Sequence, residues 1–271
     1  MRPQKPLCRV PRLPRPRLLE ALGFTVLFGL GLYLLTRGAV HGGYHWQWYR
    51  IPRFFGTFQE SGFAPGPILT GLSVTLQITV VSLAAAMAVG LLTALLRLSG
   101  SFSGRTVARV YLEVIRNTPL LVQLFFIYFV LAPILDLERF VSAVLALSLF
   151  EGAYASEIFR AAILSIHKGQ WEAASSLGLN RSQSYRHIIL PQGVRKMLPP
   201  LTGQAVSLIK DSALVSTIAV YDLTMQAQAI IAETFLAFEI WFTVAAVYLT
   251  LTLSLSAAVF LMEKRFQRFV S

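Results

Sequence analysis

A chain of 271 residues that is 55% hydrophobic and only 14% charged, with a mean hydropathy of +0.61, carries too little charge to coat a water-facing surface, because soluble domains average about 25% charged residues. Its formal net charge of +11 invites a nucleic-acid reading. The cations, however, sit in short segments between long uncharged stretches, which is the distribution of a polytopic helical membrane protein. The single cysteine, Cys8, excludes an internal disulfide and a thiolate metal site, and His41, His45, His167 and His187 form no His-x-x-x-His pair, so no metal centre is expected.

In chain order, residues 1–18 form a basic tail. Its prolines, Pro3, Pro6, Pro11, Pro14 and Pro16, oppose a helix, and no small-x-small cleavage site follows the next apolar run, so a cleaved leader is not expected. A first span occupies 19–37, apolar from about Leu19 to Leu35. The segment 38–67 is rich in Gly, Pro and aromatics. Its Trp46, Trp48, Tyr49, Phe54 and Phe55 suit either a membrane-interface belt or a lid over a translocation path. Five more spans follow, from Ile68 to Leu96, Thr106 to Leu135, Phe140 to Ile163, Leu198 to Val220 and Phe238 to Met262. The fold class is therefore all-α, a polytopic transmembrane helical bundle with a five-helix core over 68–266 and one leading span. Ala84, Ala85, Ala86, Ala88 and Gly90 predict close helix packing in the second span. Thr118-Pro119 predicts a kink in the third, where Asn117 and Gln123 can satisfy freed backbone groups or line the path.

Orientation follows from Lys and Arg alone. The tail, the connection after the second span, the connection after the fourth and the C-terminal end hold 19 of the 24 basic residues on one side. Both termini are therefore expected in the cytoplasm, with 38–67 outside it. The basic balance reads as topology, and no nucleic-acid partner is expected.

The longest loop on the basic side, 165–197, is predicted to hold two short helices. The first covers roughly Gln170 to Leu177 and stops at Gly178, which accepts a left-handed helix end. The second begins at Asn180, with Gln183 completing a capping box, and is expected to end before Pro191. Trp171, Ala173, Ala174 and Leu177 give the first helix a surface of mostly small side chains that another protein can approach closely.

Glu172-Ala173-Ala174, then Gly178, Ile188 and Leu190-Pro191 at their present spacing, resemble the EAA motif of ATP-binding-cassette importer permeases. Seven such fixed positions arise by chance in a chain of this size on the order of once in a million. The stretches Val114–Phe129, Gly152–Gln170 and Leu208–Leu223 are similar to the polar amino acid branch of that family, the histidine/glutamine/glutamate-aspartate group. The resemblance runs from about Ile68 to Phe266. It implies a type I importer fold, a bacterial inner-membrane location, and a loop (Glu172, Ala173, Ala174, Gly178, Ile188, Leu190, Pro191) that docks on an ATPase. It also implies the partners: a cytoplasmic ATPase dimer, a second permease, identical or homologous, and an extracytoplasmic amino-acid-binding protein. No Gly-x-x-x-x-Gly-Lys-[Ser/Thr] phosphate loop occurs in this sequence. The chain is therefore expected to be no enzyme and to carry no cofactor, with ATP and magnesium used by the partner subunit.

Ionisable residues within spans cost about 2.5–3.5 kcal/mol each on insertion scales. Glu157 and Arg160, three apart on one helix face, are expected to pair. Glu151 can meet a substrate ammonium or pair with Lys210, and Lys210-Asp211-Ser212 fits the pattern of the resembled branch. Asn117, Gln123, Glu151, Glu157, Lys210, Asp211 and Ser212 are thus the candidate substrate-path residues. A channel, or a secondary transporter driven by an ion gradient, remains an alternative, though it leaves the 172–191 motif unexplained. An importer of another solute, such as a metal chelate or phosphonate, is a further alternative. A membrane enzyme would need paired catalytic residues at one depth, and none stands out.

Overall fold

A computed structural model describes residues 44–60 and 62–267, together with positions 22–23, 25–27, 29–31, 33–34 and 37. The basic tail 1–18, much of the first span 19–37 and the start of the 38–67 segment lie outside the described residues. The chain divides into a leading unit, 1–47, and a main unit, 48–271. The main unit carries every element that follows.

It begins with a helical turn at Trp48–Arg50 and a short helix, Pro52–Phe55. A hairpin comes next, β1 (Gly56–Gln59) against β2 (Gly62–Pro65), antiparallel with Phe58 opposite Phe63. The aromatic content of this segment conceals the strands, and the all-α expectation therefore misses one small sheet. Gly56 is required by close approach, because a Cβ there would stand 2.8 Å from the Ala64 backbone carbonyl. Phe54 is buried against Ile68 and the later helices rather than displayed in a belt, whereas Tyr49 and Phe58 are exposed.

Among the described residues, three helices are long and apolar enough to cross a membrane: α1 (Pro67–Leu98), α4 (Arg139–Leu164) and the apolar window Ala237–Leu261 of the last helix. Two bent pairs complete five spans. α2 (Phe102–Arg116) and α3 (Leu120–Leu135) meet at 106°, and α6 (Arg181–Ile218) and α7 (Leu223–Thr234) at 49°. Between α4 and α6 lies α5 (Lys168–Ser176), and α8 (Ala237–Gln267) closes the chain. The expected kink at Pro119 is thus a full break. Pro119 lies in extended conformation as the N-cap of α3, and Gln123 Nε2 donates to the carbonyls of Ile115 and Thr118 and to the Thr118 hydroxyl at 2.7–3.0 Å. A side-chain amide replaces the missing ladder bonds, as a break at membrane depth demands.

The fifth span differs more from expectation. The helix does not stop before Pro191 but runs from Arg181 through Pro191, Pro199 and Pro200 to Ile218. A π-turn at Tyr185–Ile189 precedes Pro191, and Gln192 Nε2 caps the Ile188 carbonyl at 3.0 Å. Proline lacks the N–H that the carbonyl four residues back would accept, and the helix takes up Pro191 directly after this π-turn. α7, absent from the sequence-based expectation, starts where Asp222 accepts from the Met225 N–H at 2.9 Å.

α1 and α4 form the spine. Gly90 lies where an added Cβ would meet the Ala155 Cβ at 2.8 Å and the Gly152 carbonyl at 3.0 Å, so the two backbones touch through small residues. One core joins Ile78, Leu124, Leu147, Leu208 and Val215 from α1, α3, α4 and α6. A second joins Ile68, Leu223, Ile230 and Ile240. α8 leaves Leu249, Leu253 and Phe260 exposed, the outward apolar face that a lipid-bathed span requires.

Candidate functional site

The loop 165–197 is a rigid two-helix hook. His167 Nδ1 caps α5 by accepting from the Gly169 N–H at 3.1 Å. The helix ends in a double-bonded left-handed turn: Gly178 N–H reaches the Ser175 carbonyl at 3.0 Å, Leu179 N–H reaches the Ala174 carbonyl at 3.1 Å, and Gly178 has φ +72°. Asn180 and Gln183 then form the capping box, each bond 2.9 Å. The Trp171 ring packs edge-on against Tyr185 at 4.9 Å, and Ile163, Ile166 and Ile189 form a small core beneath them. This packing fixes the motif's two faces. Ala174 and Ile189 point inward, while Glu172, Ala173, Leu177, Gly178, Leu190 and Pro191 are exposed, with Ile188 between. Leu177, at 75% exposure, is an apolar residue with nothing over it in this chain.

Inside the bundle the candidate path residues separate into two groups, with Lys210 turned away from the second, and two further outliers. The first group surrounds Glu157. Its carboxylate takes a hydrogen bond from Arg97 of α1, two from Arg160 at 3.0 and 3.1 Å, and one from Arg116 of α2 at 3.4 Å. The expected Glu157–Arg160 pair is present, enlarged to a hub joining three helices. Glu157 and Asn117 line one cavity of about 340 Å³ with Arg97, Arg109, Arg116 and Tyr154. Asn117 donates to the carbonyl and carboxylate of Glu113 at 2.7 and 3.0 Å.

The second group surrounds Glu151, which is 1% exposed. Gln204 of α6 donates to it at 2.5 Å, and the Asp211 carboxyl lies within hydrogen-bonding reach. Of the two roles open to Glu151, pairing with Lys210 is not seen among the described residues. The helix turns Lys210 to the exposed side, and neighbouring Asp211 takes the inward place, because adjacent residues on a helix point about 100° apart. The outliers are Gln123, spent on the α2–α3 break, and Ser212, buried and bonded to the Ile209 carbonyl at 2.8 Å on its own helix.

Arg97, Arg116 and Gln204 escaped the sequence-based reading. A polar residue in an apolar run marks Gln204, but nothing local tells which helix it meets. The two arginines counted only as orientation signals. No group of three His, Cys, Asp or Glu residues able to hold a metal occurs among the described residues.

Residues 55–268 match the family model described as binding-protein-dependent transport system inner membrane component. The chain is 45% identical over 201 residues to the glutamine transport system permease protein GlnP of Escherichia coli, covering 73% of this chain and 92% of that one. It is 42% identical to the L-cystine transport system permease protein TcyB of Bacillus subtilis, covering 76% and 89%. Among solved structures, an amino acid ABC transporter crystallised with histidines superposes with a TM-score of 0.70 at 38% identity, over 73% of this chain and 94% of that one. The inward-facing MetNI methionine ABC transporter shares the fold, with a TM-score of 0.62 at 19% identity, over 75% and 96%.

Proposed function

Because the chain belongs to the family of binding-protein-dependent transport system inner membrane components, we propose that it forms half of the pore of an ATP-driven importer for a polar amino acid. The observation that carries the reading is the hook at Glu172–Pro191, whose exposed motif residues sit on capped helices continuous with span α6. A cytoplasmic ATPase dimer docks there, a second permease completes the pathway, and an extracytoplasmic binding protein delivers the solute. ATP and magnesium belong to the ATPase, and this chain binds no cofactor. The positive bias puts both termini and the hook in the cytoplasm.

The amino acid substrate class rests on the relatives, whose names specify glutamine and cystine. On this reading the cavity holding Asn117 and Glu157 belongs to the path on the hook side. Glu151 and Asp211 offer carboxyl groups to a substrate ammonium. Glu151 is closed off in this conformation, so contact requires the α4–α6 interface to open as the pore alternates between two states. Lys210, on the exposed side, is free to face the second permease or the solute.

The test combines Glu172→Lys with ATPase co-purification and uptake of labelled amino acids into proteoliposomes supplied with the binding protein. The variant is expected to lose the ATPase or the uptake. Normal behaviour on both counts would sink the docking assignment, and ATPase stimulation by a solute other than an amino acid would overturn the substrate class alone.

A further inference from the structure

The turn joining α1 to α2 opens onto a second cavity, about 360 Å³, lined by Arg97, Arg105, Arg109 and Arg160 together with Leu98 and Leu164, and by no acidic residue. Two carboxylates line the adjoining cavity: Glu113, which takes a hydrogen bond from Asn117, and Glu157, which is shared among Arg97, Arg116 and Arg160, one negative charge against three guanidiniums. Arg105 and Arg109 stand one helical turn apart on α2. Neither forms an ion pair or side-chain hydrogen bond among the described residues. Two forks without an ion pair and two partly neutralised ones line one space, an arrangement that favours an anion. Guanidinium forks match the oxygens of a phosphate in bidentate geometry.

The depth of the cavity selects the source of that phosphate. Leu98 and Leu164 are the last residues of α1 and α4, so the cavity lies where two spans leave the hydrocarbon, at headgroup level. Leu91 and Leu95 precede Leu98 by seven and three residues, share its face and are about half exposed. They offer an apolar track leading away from the arginines. We propose that this cavity binds the phosphate of an anionic phospholipid headgroup, with an acyl chain along the Leu91–Leu95–Leu98 face. A zwitterionic lipid would bring an ammonium that finds no carboxylate among the lining residues. The site requires only that the spans are embedded, and it holds for either orientation of the chain.

The full-length protein, purified in detergent with the subunits it assembles with and stripped of lipid, is titrated with phosphatidylglycerol, with phosphatidylethanolamine and with inorganic phosphate, binding being read by native mass spectrometry. Phosphatidylglycerol is expected to bind at least about tenfold more tightly than phosphatidylethanolamine. The double variant Arg105→Gln/Arg109→Gln should lose about 30-fold, since each basic residue near a charged membrane surface contributes about 1 kcal/mol. Arg195→Gln removes one charge from an exposed position outside the cavity and should leave binding unchanged. An unaltered melting temperature shows that the double variant is folded, since both arginines are exposed. Equal binding of the two lipids, or full retention by the double variant, overturns the site. Displacement of phosphatidylglycerol by inorganic phosphate overturns the lipid assignment in favour of a soluble anion.

Discussion

Replacing Gly178 by alanine separates the backbone geometry of the hook from its contacts. Gly178 has φ +72°, and a Cβ built there meets nothing within 4 Å. The whole cost of the substitution is therefore the left-handed backbone, about 1–2 kcal/mol for a residue bearing a Cβ. Two hydrogen bonds hold the turn in that conformation, from Gly178 to Ser175 and from Leu179 to Ala174. The variant must either keep the turn under strain or lose those bonds. Since 1.4 kcal/mol is a factor of ten, the equilibrium constant for the docking geometry should fall roughly tenfold, and the ATPase should bind more weakly, by up to about tenfold. Asparagine visits the left-handed region more readily, so Gly178→Asn should fall between alanine and the parent. ATPase binding titrated against permease in proteoliposomes gives the ranking Gly, Asn, Ala, with uptake following it. Equal affinity for glycine and alanine, or asparagine worse than alanine, would refute the claim that the turn's geometry, rather than its side-chain surface, sets docking.

Glycine substitutions elsewhere should sort by space. Gly90→Ala forces a Cβ to 2.8 Å from that of Ala155 and should cost about 1–3 kcal/mol through overpacking. Gly203→Ala lies mid-helix with nothing within 4 Å and should gain about 0.5–1 kcal/mol from reduced chain entropy in the unfolded state. Melting temperatures in detergent should order Gly203→Ala above the parent and Gly90→Ala below it; the reverse order would contradict the α1–α4 packing. Glu157→Gln leaves three guanidiniums facing one another, a loss of about 1–3 kcal/mol for charged hydrogen bonds. Side-chain exposures of 26–45% put the effect at the low end through solvent screening. The parent's melting temperature should fall with salt more steeply than the variant's, and identical salt curves would remove the hub as a stabilising element.

Local signals in the sequence translated well into structure. The capping box at Asn180–Gln183, the glycine stop at Gly178 and the pairing of Glu157 with Arg160 each depend on residues within four positions, where helix geometry dictates the contact. Contacts across helices were not legible. Glu151 had Lys210 as its candidate partner on α6, and only the rotation of that helix decides that Asp211 and Gln204 turn inward while Lys210 turns out. Proline misled in two directions. At Pro119 it marks a 106° break rather than a kink, and at Pro191 it marks no helix end at all. Proline forbids one donor and crowds one carbonyl, and neither effect alone decides the outcome: Gln123 bonds the freed Ile115 carbonyl where the chain breaks at Pro119, while a π-turn leads directly into Pro191 where the helix continues. The hairpin at Gly56–Pro65 was concealed because each strand is only four residues long, too short for an alternation to show.

The passage of helix through Pro191 bears on how a loop event reaches the membrane interior. Had α6 begun near Leu198, the hook and the Glu151 cluster would be joined by flexible chain, and a push on Glu172 would dissipate there. Instead one helical run carries the capping box at its first turn and Gln204 and Asp211 further along. At 1.5 Å per residue, Gln204 lies roughly 35 Å from Arg181 along a single rod. Coupling over such distances needs an element with discrete positions that both ends bias. This rod is held near one end by Trp171 on Tyr185 and further along by the bond from Gln204 to Glu151, so both sites touch the same element. The Lys196 ammonium, bonded to the Ser165 carbonyl at 2.9 Å, ties the rod to the end of α4 partway along its length. The hook and the buried carboxyl pair thus lie along one continuous helix, with α4 beside both.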